Sequence, residues 1–152
     1  MELLSRIANR TAHIGVIGQG YVGLPLALVF QEAGFRVTGF DVDSKKVEAI
    51  QRGESYIKHI GADRVAKAVK SGRMAASADF DGLRDCDAII ICVPTPLGLH
   101  REPDNSFIHS TSREIAKRLK KGQLVILEST TYPGMTDEEV KPILDRKSTR
   151  LN

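Results

Sequence analysis

The 152-residue chain has no tryptophan, only two cysteines and 5% aromatic residues. So few ring faces make a poor platform for stacking bases. No run of Lys and Arg interleaves with aromatics either, and 22 basic against 19 acidic side chains leave a formal net charge of only +3. That excess is too small to draw the chain to a polyanion, so nucleic acid is not an expected partner. Cys86 and Cys92 have neither the number nor the spacing of a disulfide framework or a zinc site, which fits a reducing compartment and a cytoplasmic protein. The four histidines, His13, His59, His100 and His109, show no ligand spacing, so no metal is expected. No apolar run approaches the ~20 residues of a membrane span. Residues 1–10 lack the apolar stretch of a signal peptide. What is present is globular: 41% hydrophobic and 27% charged, with length for one domain.

Apolar spacing places elements along the chain. Leu3, Leu4 and Ile7 suggest a short leading helix over residues 2–9. Residues 13–17 form a buried apolar run that stops at glycine, a first strand. Residues 21–33 are helical, with Val22, Leu26, Val29 and Ala33 as the inward stripe, Pro25 in the first turn and Gly34 as the C-terminal stop. A second strand covers 35–40. Ser44 caps a helix to Gln51 with Val47 and Ile50 inward. Residues 54–72 hold a further helix, with Val65, Ala68 and Val69 facing the body, before a weak strand at 73–77. Residues 88–93 are the most strand-like run, suited to a parallel strand covered on both faces. A proline-rich loop over 94–106 leads to a helix over 107–121, with Ile108, Ile115 and Leu119 inward and Gly122 ending it. A fifth strand covers 123–128. Thr136 and Glu139 suggest a capping box for a last helix, kinked or shortened by Pro142. Strands alternating with helices imply an α/β, Rossmann-type doubly wound parallel sheet that stops before a sixth strand and leaves the fifth as an open, association-prone edge.

Gly18-Gln19-Gly20-Tyr21-Val22-Gly23 is a G-x-G-x-x-G between a strand and a helix. The first glycine permits a tight turn, the second lets a pyrophosphate reach the backbone, and the third lets the helix pack on the strand. Open N–H groups at the helix start then face the phosphates. Asp41 lies 18 residues beyond Gly23, at the end of the second strand. A carboxylate there accepts hydrogen bonds from the ribose hydroxyls of NAD and repels the extra phosphate of NADP. Lys46 is placed either near the adenosine end or in solvent. Val93, Pro94, Thr95 and Pro96 end the fourth strand where strand order reverses, so they should touch the cofactor. Glu128, Ser129, Thr130 and Thr131 end the fifth strand at the same edge. Their hydroxyls either position a water or the nicotinamide ribose, or satisfy the turn backbone. Cys92 reads as a small core residue, and Cys86 sits between Asp85 and Asp87, which disfavour its thiolate.

These segments resemble a known family. Residues 14–27, residues 39–43 (Gly-Phe-Asp-Val-Asp), residues 92–96 (Cys-Val-Pro-Thr-Pro) and residues 128–134 (Glu-Ser-Thr-Thr-Tyr-Pro-Gly) are similar to motifs of the UDP-glucose/GDP-mannose dehydrogenase family. Residues 53–57 and 100–104 narrow the likeness to the branch acting on UDP-N-acetylhexosamines. The resemblance runs from about Arg10 to Leu144. It implies an NAD-dependent, two-step oxidation of the sugar C6 alcohol to a carboxylate, through a thiohemiacetal on a cysteine, by a homo-oligomer. Carried over by motif, Gly18, Gln19, Gly20, Tyr21, Val22 and Gly23 cradle the pyrophosphate, and Asp41 binds the adenosine ribose. Lys46, Val93, Thr95 and Thr130 also contact the cofactor, with Thr130 orienting the hydrolytic water. The family's glycine-rich cysteine motif and sugar-binding domain are not found in these 152 residues, so the chain by itself is expected to be inactive.

Residues 145–152, Asp-Arg-Lys-Ser-Thr-Arg-Leu-Asn, leave the helical pattern and equal the translation of a common sequencing-library adapter. The expected native NAD-binding domain is therefore residues 1–144, with Asp145 native or adapter. Those eight residues carry three basic and one acidic charge, so without them the net charge falls from +3 to +1. Two other readings remain open on the residues alone: a β-hydroxyacid dehydrogenase, and a dinucleotide-sensing domain without chemistry.

Overall fold

The computed structural model describes residues 2–148. The expectations for residues 149–152 lie outside them. The elements are α1 (Glu2–Ala8), β1 (His13–Ile17), α2 (Gly23–Glu32), β2 (Arg36–Phe40), α3 (Ser44–Gln51), α4 (Ala62–Lys70), β3 (Met74–Ser77), β4 (Ala88–Ile91), α5 (Ser106–Ala116), β5 (Leu124–Leu127) and α6 (Lys141–Ser148). A 3-10 turn, Phe80–Asp85, precedes β4, and a wide π turn, Thr136–Val140, leads into α6. The five strands are parallel in the order β3-β2-β1-β4-β5. This is the expected Rossmann-type sheet, and strand order reverses between β1 and β4.

Central β1 and β4 are buried at every residue, which is why they read as unbroken apolar runs. Side chains alternate across the sheet. Ile90 joins the layer formed by Leu24, Leu28, Val47, Ile50 and Val65, whereas Ile89 and Ile91 join Phe40, Leu83 and Ile115 on the other face. Each such fully buried side chain is worth ~1.5–3 kcal/mol of apolar transfer. At the edge, β5 pairs with β4 alone among the described residues, and Leu124 is exposed. The open edge read from the sequence is present.

Helix α2 ends in a Schellman turn. Gly34, at φ 102°, donates its N–H to the Gln31 carbonyl and Phe35 donates to the Phe30 carbonyl, while the two phenylalanine rings meet edge to face at 6.0 Å. Its buried face, however, is Gly23, Leu24, Ala27, Leu28 and Gln31. The stripe expected from spacing is wrong, since Val22 and Val29 are 57% and 52% exposed. The helix is apolar on nearly all sides, so periodicity cannot choose a face. The contact of Gly23 with the Gly18 carbonyl sets the rotation instead.

Four helix boundaries also differ from expectation. Asp43, not Ser44, caps α3, accepting the Lys45 N–H at 3.0 Å from an extended backbone that a cap requires. Helix α5 stops at Ala116, well before Gly122. There the Gln123 side-chain amide accepts the Lys120 N–H, which another turn would have used, and donates to the carbonyls of Leu83 and Cys86 at the 3-10 turn. No capping box forms at Thr136, because Glu139 bonds the His109 ring on α5. The π turn precedes Pro142, which lacks the N–H for an α-helical bond, and the helix continues past it. Helix α6 then runs to Ser148, into the segment where the helical pattern was expected to fail, with Lys141 paired to Asp145 at 2.7 Å.

His13 is buried at the start of β1, its ring held between Thr38 Oγ1 at 2.8 Å and the Asp85 carbonyl at 3.2 Å. Burial, and then Arg36 nearby, push its pKa below the usual histidine value. The folded chain therefore resists taking up this proton. The stability it contributes is complete above the ordinary value near 6.5 and is lost as pH falls below it. Melting temperature should drop between pH 8 and pH 5.5, and drop less in His13→Gln. Equal pH slopes for the two proteins would exclude His13 as the cause.

Candidate functional site

The C-terminal ends of β1, β2, β4 and β5 open onto a cleft of about 540 Å³. This is where ligands bind in open α/β sheets, outside the strand ends at the reversal of strand order. Its walls come from the glycine turn (Gly18, Gly20, Tyr21, Val22), the β2 end (Asp41, Asp43, Lys46), the β4 end (Cys92, Val93, Pro94, Thr95) and the β5 end (Glu128, Ser129, Thr130).

The three glycines of the turn do different work. Gly18 sits at φ 92°, and a Cβ there would lie 2.5 Å from the Cys92 carbonyl oxygen. At Gly23 a Cβ would fall 1.6 Å from the Gly18 oxygen. Both let backbone pack on backbone. Gly20 is the opposite case, since a Cβ would meet nothing within 4 Å. Space has been left at Gly20 that the protein itself does not use, as a ligand approaching the main chain requires.

Asp41 is 8% exposed and faces this space. Its Oδ2 accepts the Gln19 N–H at 2.8 Å and its Oδ1 accepts the Asp43 N–H at 2.9 Å. A carboxylate offers about four lone-pair sites. Two are used by the backbone, which fixes the plane of the group, and two remain for a vicinal diol. The open space at Gly20 beside this fixed acceptor fits the pyrophosphate and ribose of a dinucleotide.

Gly18, Gly20, Tyr21, Val22, Asp41, Lys46, Val93, Thr95 and Thr130 all line the cleft as expected from sequence. Gln19 and Gly23 do not. The Gln19 side chain is fully buried, turned away under Gly39, where its Nε2 donates to the Val16 carbonyl at 2.9 Å. Only its backbone serves the site. Ser129 is spoken for by the turn, donating to the Val93 carbonyl at 2.8 Å, which leaves Thr130 as the exposed hydroxyl beside it. Neither cysteine is activated. Burial, with Asp85 and Asp87, pushes the Cys86 thiol up to about 12, and burial, with Glu128, pushes Cys92 up to about 11. No cluster of metal-ligating side chains occurs among the described residues, and none of their helices is long and apolar enough to cross a membrane.

Sequence reasoning missed two contributions. Helix α5 gives the cleft Phe107, Ser110 and Thr111, while Ile108 and Ile115 enter the core from its other side. The i, i+3, i+4 spacing of those three was the available signal. Tyr56, between α3 and α4, donates its hydroxyl to the Gln19 carbonyl behind the turn. No local pattern marks that contact.

A family model for the NAD-binding domain of the UDP-glucose/GDP-mannose dehydrogenases matches residues 12–152. The chain is 36% identical over 135 residues to a UDP-N-acetyl-D-glucosamine 6-dehydrogenase of Pseudomonas aeruginosa, covering 89% of this chain and 31% of that protein. It is 44% identical over 126 residues to a UDP-N-acetyl-D-mannosamine dehydrogenase of Yersinia pestis, covering 82% and 29%. Among solved structures, a ternary complex of GDP-mannose dehydrogenase from Pseudomonas aeruginosa superimposes with a TM-score of 0.85 at 30% identity, over 90% of this chain and 32% of that one. The chain thus spans about a third of the length of the proteins it matches. With its parallel sheet, its glycine turn and its aspartate in the cleft wall, the chain belongs to the UDP-glucose/GDP-mannose dehydrogenase family, as an NAD-binding domain.

Proposed function

We propose that this chain is the cofactor-binding part of an NAD-dependent nucleotide-sugar 6-dehydrogenase, which oxidises the C6 alcohol of a UDP-N-acetylhexosamine to a carboxylate with two NAD. The observation that carries the cofactor side is the unused space at Gly20 beside the doubly held Asp41. The sugar class rests on relatives named for UDP-N-acetylglucosamine and UDP-N-acetylmannosamine. The full-length enzyme is read as a cytoplasmic homo-oligomer serving polysaccharide synthesis.

Bound NAD supplies the hydride acceptor. The chain's own residues bind and orient. The Gly18–Gly20 turn receives the pyrophosphate on backbone N–H groups, and Asp41 receives the adenosine ribose. Lys46 stands on the wall beside Asp41, while Val93 and Thr95 form the wall at the β4 end. Thr130, at the β5 end, holds the water that resolves the second step.

The nucleophilic thiol has to come from elsewhere in the full-length protein. Cys86 and Cys92 are buried, with thiols held far above neutral pH, so almost none of either is thiolate at pH 7. The 152-residue chain is therefore expected to bind NAD but to produce no NADH with UDP-N-acetylglucosamine or UDP-N-acetylmannosamine. Absorbance at the NADH band, beside the full-length protein, measures this. Turnover by the short chain would contradict the assignment of the thiol, and a full-length protein inactive on both sugars would contradict the substrate class.

A further inference from the structure

Tyr56 has no place in the cleft wall, yet it touches the element on which the cleft depends. It lies on the segment between α3 and α4, which the core pins at two points. Gly53, at φ 73°, turns the chain out of α3, with its N–H on the Ile50 carbonyl and the Glu54 N–H on the Ala49 carbonyl. Ile57 and Ile60 then bury their side chains against the α2, α3 and α4 layer. Tyr56 is held half-buried between these anchors, and its hydroxyl donates to the Gln19 carbonyl oxygen.

That carbonyl belongs to the Gln19–Gly20 peptide. No peptide among the described residues is cis, and across a trans peptide C=O and N–H point in opposite directions. With the Gln19 oxygen drawn toward Tyr56, the Gly20 N–H is aimed the other way. No acceptor for it occurs among the described residues, and Gly20 lines the cleft. The preceding peptide is fixed as well, because the Gln19 N–H is bonded to Asp41. A hydrogen bond accepted at one end of a peptide also polarises the donor at the other. Burial, and then the nearby carboxylates of Asp41 and Asp43, push the Tyr56 hydroxyl well above its ordinary pKa, so it stays a donor at all physiological pH values.

We propose that Tyr56 is a positioning residue for the dinucleotide: by holding the Gln19 carbonyl it aims the Gly20 N–H at the pyrophosphate and steadies the Gln19 N–H on Asp41. This rests on the cofactor reading above. Tyr56→Phe removes the hydroxyl and keeps the ring, so packing is retained. The 152-residue chain and the variant are titrated with NAD by calorimetry, melted, and compared by amide hydrogen exchange without ligand. A weakening of NAD binding of roughly three- to tenfold is expected, the size of one lost hydrogen bond. Faster exchange should be confined to the glycine turn, with the melting temperature nearly unchanged. NAD affinity equal to that of the parent overturns the proposal, whatever the exchange shows. Exchange that speeds up uniformly across the sheet, with a lowered melting temperature, marks a merely structural hydroxyl and also overturns it. A parent chain that binds no NAD contradicts the cofactor reading itself, and the proposal falls with it.

Discussion

Gly20→Val is expected to weaken NAD binding about 100-fold or more, roughly 2.7 kcal/mol, in a chain that still folds. The reason is the empty volume. A Cβ at Gly20 meets no atom within 4 Å, and the residue does not have a positive φ, so the free protein accommodates a side chain without strain. The added methyl groups occupy the space a pyrophosphate needs. Gly23→Ala is expected to fail in the opposite sense. Its Cβ would sit 1.6 Å from the Gly18 oxygen, and that backbone has nowhere to go: Gly18 N–H is bonded to the Phe40 carbonyl at 2.8 Å, and Gly18 itself abuts Cys92. No rotamer relieves an overlap with main chain, so this variant should lose the folded state. Far-UV circular dichroism and NAD titration of both variants separate the two roles. NAD bound by Gly20→Val at parental affinity would reduce the turn to a structural device. A normally folded Gly23→Ala would contradict the packing account.

The second large effect is at Asp41. In Asp41→Ala, NAD affinity should fall about tenfold or more, while NADP affinity changes little, so that the preference between them collapses. Two contributions vanish together in the variant: the hydrogen bonds to the ribose diol, and the repulsion of a 2′-phosphate. Like charges 4 Å apart repel by ~4 kcal/mol at an effective dielectric of ~20, which sets the upper scale. Stability should fall as well. The N–H groups of Gln19 and Asp43 lose their acceptor, at ~1–3 kcal/mol for each that stays buried. The ratio of the two dissociation constants isolates the binding role, because a general loss of stability weakens both cofactors alike. A ratio unchanged from the parent would remove Asp41 from cofactor choice.

What could be read from the sequence follows the length scale of the physics. The buried strands at residues 13–17 and 88–91 showed as apolar runs because both faces of the sheet are covered. The glycine turn and Asp41 were legible because their spacing encodes a local strand–turn–helix geometry. The rotation of α2 was not, since an all-apolar helix carries no phase and the deciding contact lies at Gly23. Gln19 was expected only as part of the pyrophosphate cradle. Only the tertiary structure shows that a glycine at position 39 makes room for its amide beneath the sheet edge. Glu139 fitted a local cap but is taken by His109 from another helix. Tyr56 was visible only as part of a family-like segment, because the atom it bonds is a backbone oxygen 37 residues away.

The central claim is that this cleft selects NAD through Asp41. Titrating NAD and NADP separately into the unsubstituted 152-residue chain, under identical buffer and salt, tests it most directly. The account predicts saturable NAD binding at least tenfold tighter than NADP, the equivalent of about 1.4 kcal/mol. NADP bound as tightly as NAD, or more tightly, would contradict it.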